Sequence, residues 1–174
     1  TTFEPVHIAT STQLDRDICL VVDRSGSMMW SLDGSTLPGG SCAKPNMAMS
    51  RWGGVYTAVN AFAAELEGTL QEEQCALVTY SSNGSGCGFK FTISDINCAL
   101  NFNYQSIRDE MTKLSGRPVQ GNTAIGAGID NGVKVLTSSS VRPFAIRTMV
   151  VMTDGLHNSG GDPVTAAQKA AKQK

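Results

Sequence analysis

The chain has 174 residues, 41% of them hydrophobic, and its 14 Lys and Arg against 15 Asp and Glu give a formal net charge of −1. This length corresponds to one globular domain with a core of its own. The balanced charge and the lack of a Lys/Arg cluster argue against a nucleic-acid or polybasic membrane binder. No apolar run approaches the roughly 20 residues of a spanning helix, so we expect no membrane insertion by this segment.

The first half of the chain predicts a buried strand, a long insertion and a helix. Residues 17–22 read D-I-C-L-V-V, in which a continuous apolar run follows the first residue and ends at Asp23; this is typical of a strand buried on both faces of a parallel sheet. Residues 28–50 are rich in Gly, Ser, Pro and Asn and show no periodicity, which indicates a surface loop. Apolar residues then recur at spacings of three and four over 51–70, which predicts a helix with Ser50 as its N-cap.

The middle of the chain predicts a hairpin followed by a helix. Residues 75–80 form a second apolar strand, and the glycines after it permit the chain to reverse into residues 89–93. We expect 89–93 to form an antiparallel edge strand. A helix is predicted over 104–114.

The last third predicts a glycine-containing helix, a buried strand and a final helix. Residues 125–136 have a helical apolar face interrupted by glycines at 126, 128 and 132, which predicts close packing against a neighbour because glycine disfavours a helix. Residues 146–153 predict a third buried strand, which Asp154 follows. Asp162 and Pro163 are typical of the start of a helix, here extending to residue 174.

This order of elements predicts the α/β class: a doubly wound, mostly parallel sheet with one antiparallel edge strand and helices on both faces. Residues 1–174 form a single domain in this interpretation. The final helix of such a sheet normally leads into another parallel strand, so we expect the domain's last strand and helix to be missing from this segment.

Five cysteines leave at least one thiol unpaired within the chain. Cys42, Cys87 and Cys98 fall in Gly/Ser/Asn-rich stretches, where a disulfide is natural in an oxidising compartment. Sequence spacing favours a pair between Cys87 and Cys98, with other pairings open. This cysteine usage favours an extracytoplasmic protein.

Oxygen-bearing side chains cluster at the ends of the predicted strands. Asp23, Ser25 and Ser27 form a D-x-S-x-S turn directly after the first strand. Thr123 begins a later helix and Asp154 ends the third buried strand. Ligands of open α/β sheets bind at the carboxyl ends of strands, and hard cations such as Mg²⁺ take oxygen donors. The sequence therefore predicts a divalent-metal site made by these five residues.

The stretches D-R-S-G-S-M, G-N-T-A-I-G-A-G-I and V-V-M-T-D-G together resemble the metal-ion-dependent adhesion site of a von Willebrand factor type A domain. The resemblance implies a Rossmann-like sheet with Mg²⁺, or Mn²⁺ or Ca²⁺, at its top. The implied metal-site residues are Asp23, Ser25, Ser27, Thr123 and Asp154. Three of their neighbours are candidates for the rim of the site: Arg24, Asn122 and His157.

The implied function is adhesion. A protein or glycan partner that offers an acidic group would complete the metal shell, and no nucleic acid is expected. The first motif, with Ser50-Arg51-Trp52 and residues 142–145, is further similar to bacterial envelope proteins of the TadG-like, Flp-pilus-associated group. We therefore expect an extracellular or cell-envelope location in a bacterium.

Two alternatives remain open. The domain is a structural or assembly module of a pilus or envelope complex if the metal mainly holds the loops together. An aspartyl-phosphate phosphotransferase also places an Asp after its first strand, but Ser25 stands where its usual second carboxylate would be. The chain has no nucleophile elbow, phosphate loop or zinc-type His/Cys cluster, so we expect no enzyme activity.

Overall fold

A computed structural model describes residues 15–40 and 42–173. Its six strands lie in two sheets, and of its four helices three lie between strands along the chain while the fourth follows the last strand. The strands are β1 (Arg16–Asp23), β2 (Gln74–Tyr80), β3 (Gly84–Gly86), β4 (Phe89–Phe91), β5 (Ser94–Asn101) and β6 (Ile146–Met152). The helices are α1 (Arg51–Gly68), α2 (Tyr104–Ser115), α3 (Ile125–Leu136) and α4 (Pro163–Ala171).

The main sheet has the order β5-β2-β1-β6, with β1 parallel to both β2 and β6 and with β5 antiparallel to β2. This arrangement confirms the predicted α/β class with its antiparallel edge. The central strand β1 carries Asp23 at its carboxyl end, level with Tyr80 of β2. Asp154 follows the carboxyl end of the neighbouring strand β6. The topology thus places both aspartates at one edge of the sheet.

Successive residues of β1 point to opposite faces of the sheet, and both faces are covered. Ile18, Leu20 and Val22 belong to a cluster with residues of α1 and α2. Cys19 and Val21 belong to a second cluster with residues of α3. Because β1 is buried on both faces, its apolar run is continuous rather than alternating.

The antiparallel edge strand is β5, so its predicted position at 89–93 is wrong. Residues 89–91 form β4, which pairs with β3 in a separate hairpin. The chain then continues into β5, where Cys98 and Leu100 are buried. The Gly/Ser-rich stretch before β4 therefore turns the chain within a small hairpin rather than into the main sheet.

The predicted helix starts are confirmed and three of the predicted ends shift, that of α2 by one residue to Ser115. The Ser50 hydroxyl caps α1 by accepting from the backbone N–H of Gly53 at 3.1 Å, and the Asp162 carboxylate caps α4 by accepting from that of Thr165 at 2.8 Å. Helix α1 ends at Gly68, and α4 ends at Ala171, while the predicted end at 174 lies outside the described residues. No helix in the described part of the chain is long and apolar enough to cross a membrane.

Strand β6 forms the second edge of the main sheet. Within residues 15–40 and 42–173, no strand pairs with its outer side. Three of its apolar residues, Ile146, Val150 and Val151, are exposed. The predicted further strand would pair at this edge, and it stays a prediction.

The glycines of α3 allow the helix to lie directly on the sheet. A Cβ added at Gly128 would lie 2.5 Å from Tyr80 Cδ1 and 2.9 Å from Val21 Cγ1. We expect Gly128→Ala to lower the free energy of unfolding by about 1–3 kcal/mol, because a packed core must shift to admit the methyl group.

The same substitution at Gly54, exposed in the interior of α1, provides the matched control. Its added Cβ would meet only Leu32 Cδ2, at an ordinary 3.8 Å. Gly54→Ala should raise the free energy of unfolding by about 1 kcal/mol through helix propensity. Urea denaturation of both variants measures the difference in sign, and a Gly128→Ala variant as stable as the wild type would contradict the packing argument.

Candidate functional site

The Asp23 carboxylate lies buried at the end of β1 and both of its oxygens accept hydrogen bonds. Oδ1 accepts from the backbone N–H of Ser25 at 2.8 Å, and Oδ2 accepts from the Thr153 hydroxyl at 2.9 Å. Burial raises the pKa of Asp23, the hydrogen bonds from Ser25 and Thr153 oppose that rise, and the negative charge of Asp154 adds to it. Desolvation and the nearby charge of Asp154 therefore both disfavour the charged form of this carboxyl group.

The two serines of the first motif connect Asp23 to Asp154. A short 3₁₀ turn (Gly26–Met29) follows Ser25 and brings the Ser25 and Ser27 hydroxyl oxygens to 3.1 Å from each other. The Ser27 hydroxyl donates to Asp154 Oδ1 at 2.9 Å. A chain of oxygen atoms thus runs from β1 to the loop after β6.

Thr123 reaches the same place from the loop before α3. That loop approaches the first motif through Gly121, whose carbonyl accepts from the Gly26 N–H at 2.9 Å. Gly121 has a φ of 97°, a conformation that favours glycine. The buried Thr123 is fixed by Asn158, whose side-chain oxygen accepts from the Thr123 N–H at 2.7 Å. The structure therefore brings all five predicted site residues together.

Because Gly155 has no side chain, space remains beside the Ser27 and Thr123 hydroxyls. A Cβ added there would lie 3.8 Å from Ser27 Oγ and 4.0 Å from Thr123 Oγ1, so both oxygens border the same point. The surrounding donors are carboxylate and hydroxyl oxygens, the ligands that Mg²⁺ and Ca²⁺ prefer. These residues fit a hard divalent cation. Within the described residues, no three His, Cys, Asp or Glu side chains cluster as in a zinc or carboxylate-rich site.

Arg51 is a site residue that the motif analysis missed. Its Nη1 donates to Asp154 Oδ2 at 2.6 Å. Arg51 is the first residue of α1, where the helix dipole disfavours a positive charge. A cation in the first turn of a predicted helix is the signal that could have indicated a carboxylate partner elsewhere in the chain.

The three rim candidates lie in different surroundings. Arg24 is buried, and its guanidinium donates to Thr79 Oγ1 at 3.1 Å and to Asp95 Oδ2 at 2.9 Å, so it links β1 to β2 and β5. Asn122 is exposed, and its backbone N–H donates to Ser82 Oγ at 2.9 Å. The Nδ1 atom of His157 is buried without a hydrogen-bond partner among the described residues. Within the described residues, no side-chain hydrogen bond or ion pair joins the three candidates to the five site residues, and Arg24 interacts with Asp23 only through its charge.

The disulfide joins Cys42 to Cys87, with their Cα atoms 5.3 Å apart, so the predicted pair of Cys87 and Cys98 is wrong. Cys98 is a buried free thiol in β5, where its side chain faces the core cluster on the α1 and α2 side. Cys87 instead lies in the turn between β3 and β4. The disulfide therefore ties the predicted insertion to the small hairpin.

The other two cysteines are buried in the sheet. Burial raises the pKa of Cys19 and of Cys75 to about 12. A thiol with such a pKa is protonated at neutral pH and unreactive. Cys19 is thus a core residue, as predicted, and neither thiol belongs to the site.

The insertion borders the site through an open groove. The groove has a volume of about 460 Å³ and begins at Gly26 and Gly121, the two residues that join the first motif to the Thr123 loop. Leu37, Pro38 and Lys44 form its wall on the side of the insertion. The groove therefore lies beside the loops that carry the first motif and Thr123, and none of the five site residues lines it.

A model of the von Willebrand factor type A domain family matches residues 17–174. The chain belongs to this family. The mostly parallel sheet with helices on both faces and one antiparallel edge strand matches the fold of this family. No curated protein matches the chain at a significant level.

Solved structures with the same fold include a membrane protein, a minor pilin and a pilus adhesin, all from bacteria. An aerotolerance-related membrane protein from Bacteroides fragilis is 19% identical, with a TM-score of 0.60 over 90% of this chain and 62% of its own. The PilB minor pilin from Streptococcus sanguinis is 21% identical, with a TM-score of 0.63 over 85% of this chain and 31% of its own. The pilus adhesin SpaC from Lactobacillus rhamnosus GG is 24% identical, with a TM-score of 0.59 over 84% of this chain and 16% of its own.

These identities show a shared fold. The type A domain described here spans less than two thirds of the length of each of these three proteins.

Proposed function

We propose that this type A domain is an adhesion module that binds a protein or glycan through a divalent cation. Mg²⁺ is the preferred cation, with Mn²⁺ or Ca²⁺ as alternatives. The residues that would hold it are Asp23, Ser25, Ser27, Thr123 and Asp154. The convergence of these oxygen donors from three separate loops, around the space that Gly155 leaves open, is the observation that supports the proposal.

The side chains of the site have distinct roles in this proposal. Asp23 is oriented by the Ser25 N–H and the Thr153 hydroxyl, so its carboxylate needs no reorganisation to act as a ligand. Ser25, Ser27 and Thr123 offer neutral oxygens, which leave the charge of the site low. A bound cation supplies a positive charge with exchangeable water ligands, and an acidic group of the partner replaces one of those waters.

We further propose a location in the envelope or outside of a bacterial cell. The proteins with similar folds support this location, since they are described as a membrane protein, a minor pilin and a pilus adhesin. The disulfide between Cys42 and Cys87 fits an oxidising compartment. We assign no catalytic role to Asp23, because Ser25 occupies the position of the second carboxylate that phosphotransferases use.

A second candidate function is assembly of a pilus or envelope complex, with a cation that mainly fixes the loops. The pilin and adhesin folds favour this alternative as well. In that case the cation would stabilise the domain without binding a partner's acidic group. The two functions therefore differ in whether a bound cation keeps an exchangeable ligand.

Water-proton relaxation of Mn²⁺ tests the proposal, because it reports both cation binding and the waters that the cation keeps. We expect Mn²⁺ to bind, acetate to displace a metal-bound water, and EDTA to reverse both signals. Thr123→Ala should weaken Mn²⁺ binding by about tenfold or more while the domain stays folded. Bound Mn²⁺ that does not respond to acetate would support the assembly function, and a wild-type domain that binds no Mn²⁺ would exclude both functions.

A further inference from the structure

The Arg51 guanidinium binds one of the two oxygens of the Asp154 carboxylate. Asp154 Oδ1 faces Ser27, which donates to it at 2.9 Å, while Oδ2 faces the Arg51 guanidinium at 2.6 Å. The Asp154 side chain is 9% exposed and that of Arg51 is 23% exposed. The pair is thus largely removed from water, where a charge interaction is stronger than at the surface.

The surrounding chain holds the guanidinium in this position. Its Cζ lies 5.7 Å from the centroid of the Trp30 ring, within the range of a cation–π contact. The Arg51 N–H donates to the Trp30 carbonyl at 2.9 Å, which fixes the start of α1. A Cβ added at Gly34 would lie 3.5 Å from Arg51 Nη2. The guanidinium therefore lies between the insertion and the site.

We propose, on the basis of the proposed function, that Arg51 sets the charge balance of this metal site and makes it select an anionic ligand. The guanidinium offsets the charge of Asp154, which is one of only two carboxylates among the five site residues. A divalent cation bound there is repelled by Arg51. The net negative charge that attracts the cation is also smaller than the two carboxylates alone would give. Arg51 thus weakens cation binding and leaves the bound cation in need of an anion.

The same arrangement favours binding of the partner's acidic group. A carboxylate that enters the cation's shell meets a second positive charge nearby, since Arg51 lies at the edge of the site and is partly exposed. Arginine is well suited to this because its planar guanidinium has several donors and can contact two carboxylates at once. The residue thereby favours acidic ligands over neutral ones.

Titration of the metal-free domain with Mn²⁺ alone, followed by acetate, tests this role by water-proton relaxation. We expect R51Q to bind Mn²⁺ about tenfold more tightly than the wild type and to need about tenfold more acetate to displace the bound water. R51K keeps the charge, so both values should stay within about threefold of the wild type. R108Q is the matched control, because Arg108 forms an ion pair with Glu67 away from the site.

A merely structural Arg51 would give the opposite result. If Arg51 serves only to hold Asp154 in place, R51Q should bind Mn²⁺ more weakly, and that outcome overturns the proposal. Unchanged Mn²⁺ affinity, or tighter acetate binding, also overturns it. If R51Q does not fold, R51K decides: a change in Mn²⁺ affinity of more than about threefold would contradict a role based on charge. A wild-type domain that binds no Mn²⁺ instead removes the proposed function itself.

Discussion

Arg142→Gln is expected to lower the free energy of unfolding by about 3 kcal/mol, because it leaves the buried Asp17 carboxylate without its cation. The Arg142 side chain donates from Nε to Asp17 Oδ1 at 2.9 Å. It also donates to two backbone carbonyls, those of Glu72 at 2.6 Å and Arg16 at 2.7 Å. In the variant, Asp17 keeps the hydrogen bond from the backbone N–H of residue 142, which is 2.8 Å long in the wild type. The expected loss of stability is therefore at the lower end of the range for a buried ion pair that loses one partner.

Chemical denaturation of single and double variants measures this coupling. Asp17→Asn removes the buried charge, so adding it to Arg142→Gln should recover part of the loss. Arg108→Gln, which breaks the exposed pair with Glu67, should leave the denaturation midpoint nearly unchanged. If Arg142→Gln behaves like Arg108→Gln, the buried pair does not stabilise the fold.

Arg142 also shows what the sequence could not predict. It lies within residues 142–145, a stretch that indicated only a similarity to bacterial envelope proteins. Its partner Asp17 lies 125 positions earlier, at the start of a strand predicted from its apolar run alone. A pairing of this kind depends on which strands are neighbours in the sheet, and hydrophobic patterns do not specify side-chain partners.

The elements that could be predicted have strong local signals. Strand β1 has a continuous apolar run, and the cap of α1 has a serine directly before a helical periodicity. Strand β5 was missed because its larger apolar residues, Ile96, Cys98 and Leu100, occupy alternate positions rather than a continuous run like that of β1. That alternation is itself a strand signal, and it was available in the sequence.

In the candidate site, too, some features could be predicted from the sequence and others could not. The proximity of Asp23 to Asp154 could be predicted, because the carboxyl ends of parallel strands meet at one edge of the sheet. Thr123 precedes a helix, so that argument did not place it, and the role of the five residues as ligands stays a prediction. Arg51 and Asn158 lie outside the three motifs, and their contacts depend on how α1 and the loop after β6 approach the first strand. Thr153 lies inside the third motif, but the motif did not indicate that its hydroxyl donates to Asp23. The disulfide partner of Cys87 likewise depends on the path of the insertion.

The role of Asp23 leads to the second large effect: Asp23→Asn should remove the response of the domain to divalent cations and yet stabilise the cation-free domain. The wild type should gain about 2.7 kcal/mol of stability at a Mg²⁺ or Mn²⁺ concentration of about 100 times Kd. Asparagine lacks the charge that a cation needs at this position, so that gain should vanish.

The stabilisation without cation follows from the surroundings of the carboxylate. Burial and the nearby charge of Asp154 both raise the pKa of Asp23, so at neutral pH its ionised form destabilises the fold. Asparagine still accepts from the Ser25 N–H. Its amide can donate to the Thr153 hydroxyl, which then donates to the Gly155 carbonyl, 3.3 Å away. Removing the charge should therefore raise Tm in EDTA by about 2–4 °C for each kcal/mol gained.

Thermal unfolding of Asp23→Asn in EDTA and in excess Mn²⁺ measures both effects. We expect a higher Tm than that of the wild type in EDTA, and no further rise in Tm when Mn²⁺ is added. Asp130→Asn is the control, because Asp130 is exposed on α3 and should keep the cation response of the wild type. A lower Tm of Asp23→Asn in EDTA would mean that the carboxylate stabilises the turn. A retained cation response would mean that Asp23 is not a ligand. Only a cation-binding role explains a residue whose charge costs stability in the cation-free domain and is needed when the cation is present.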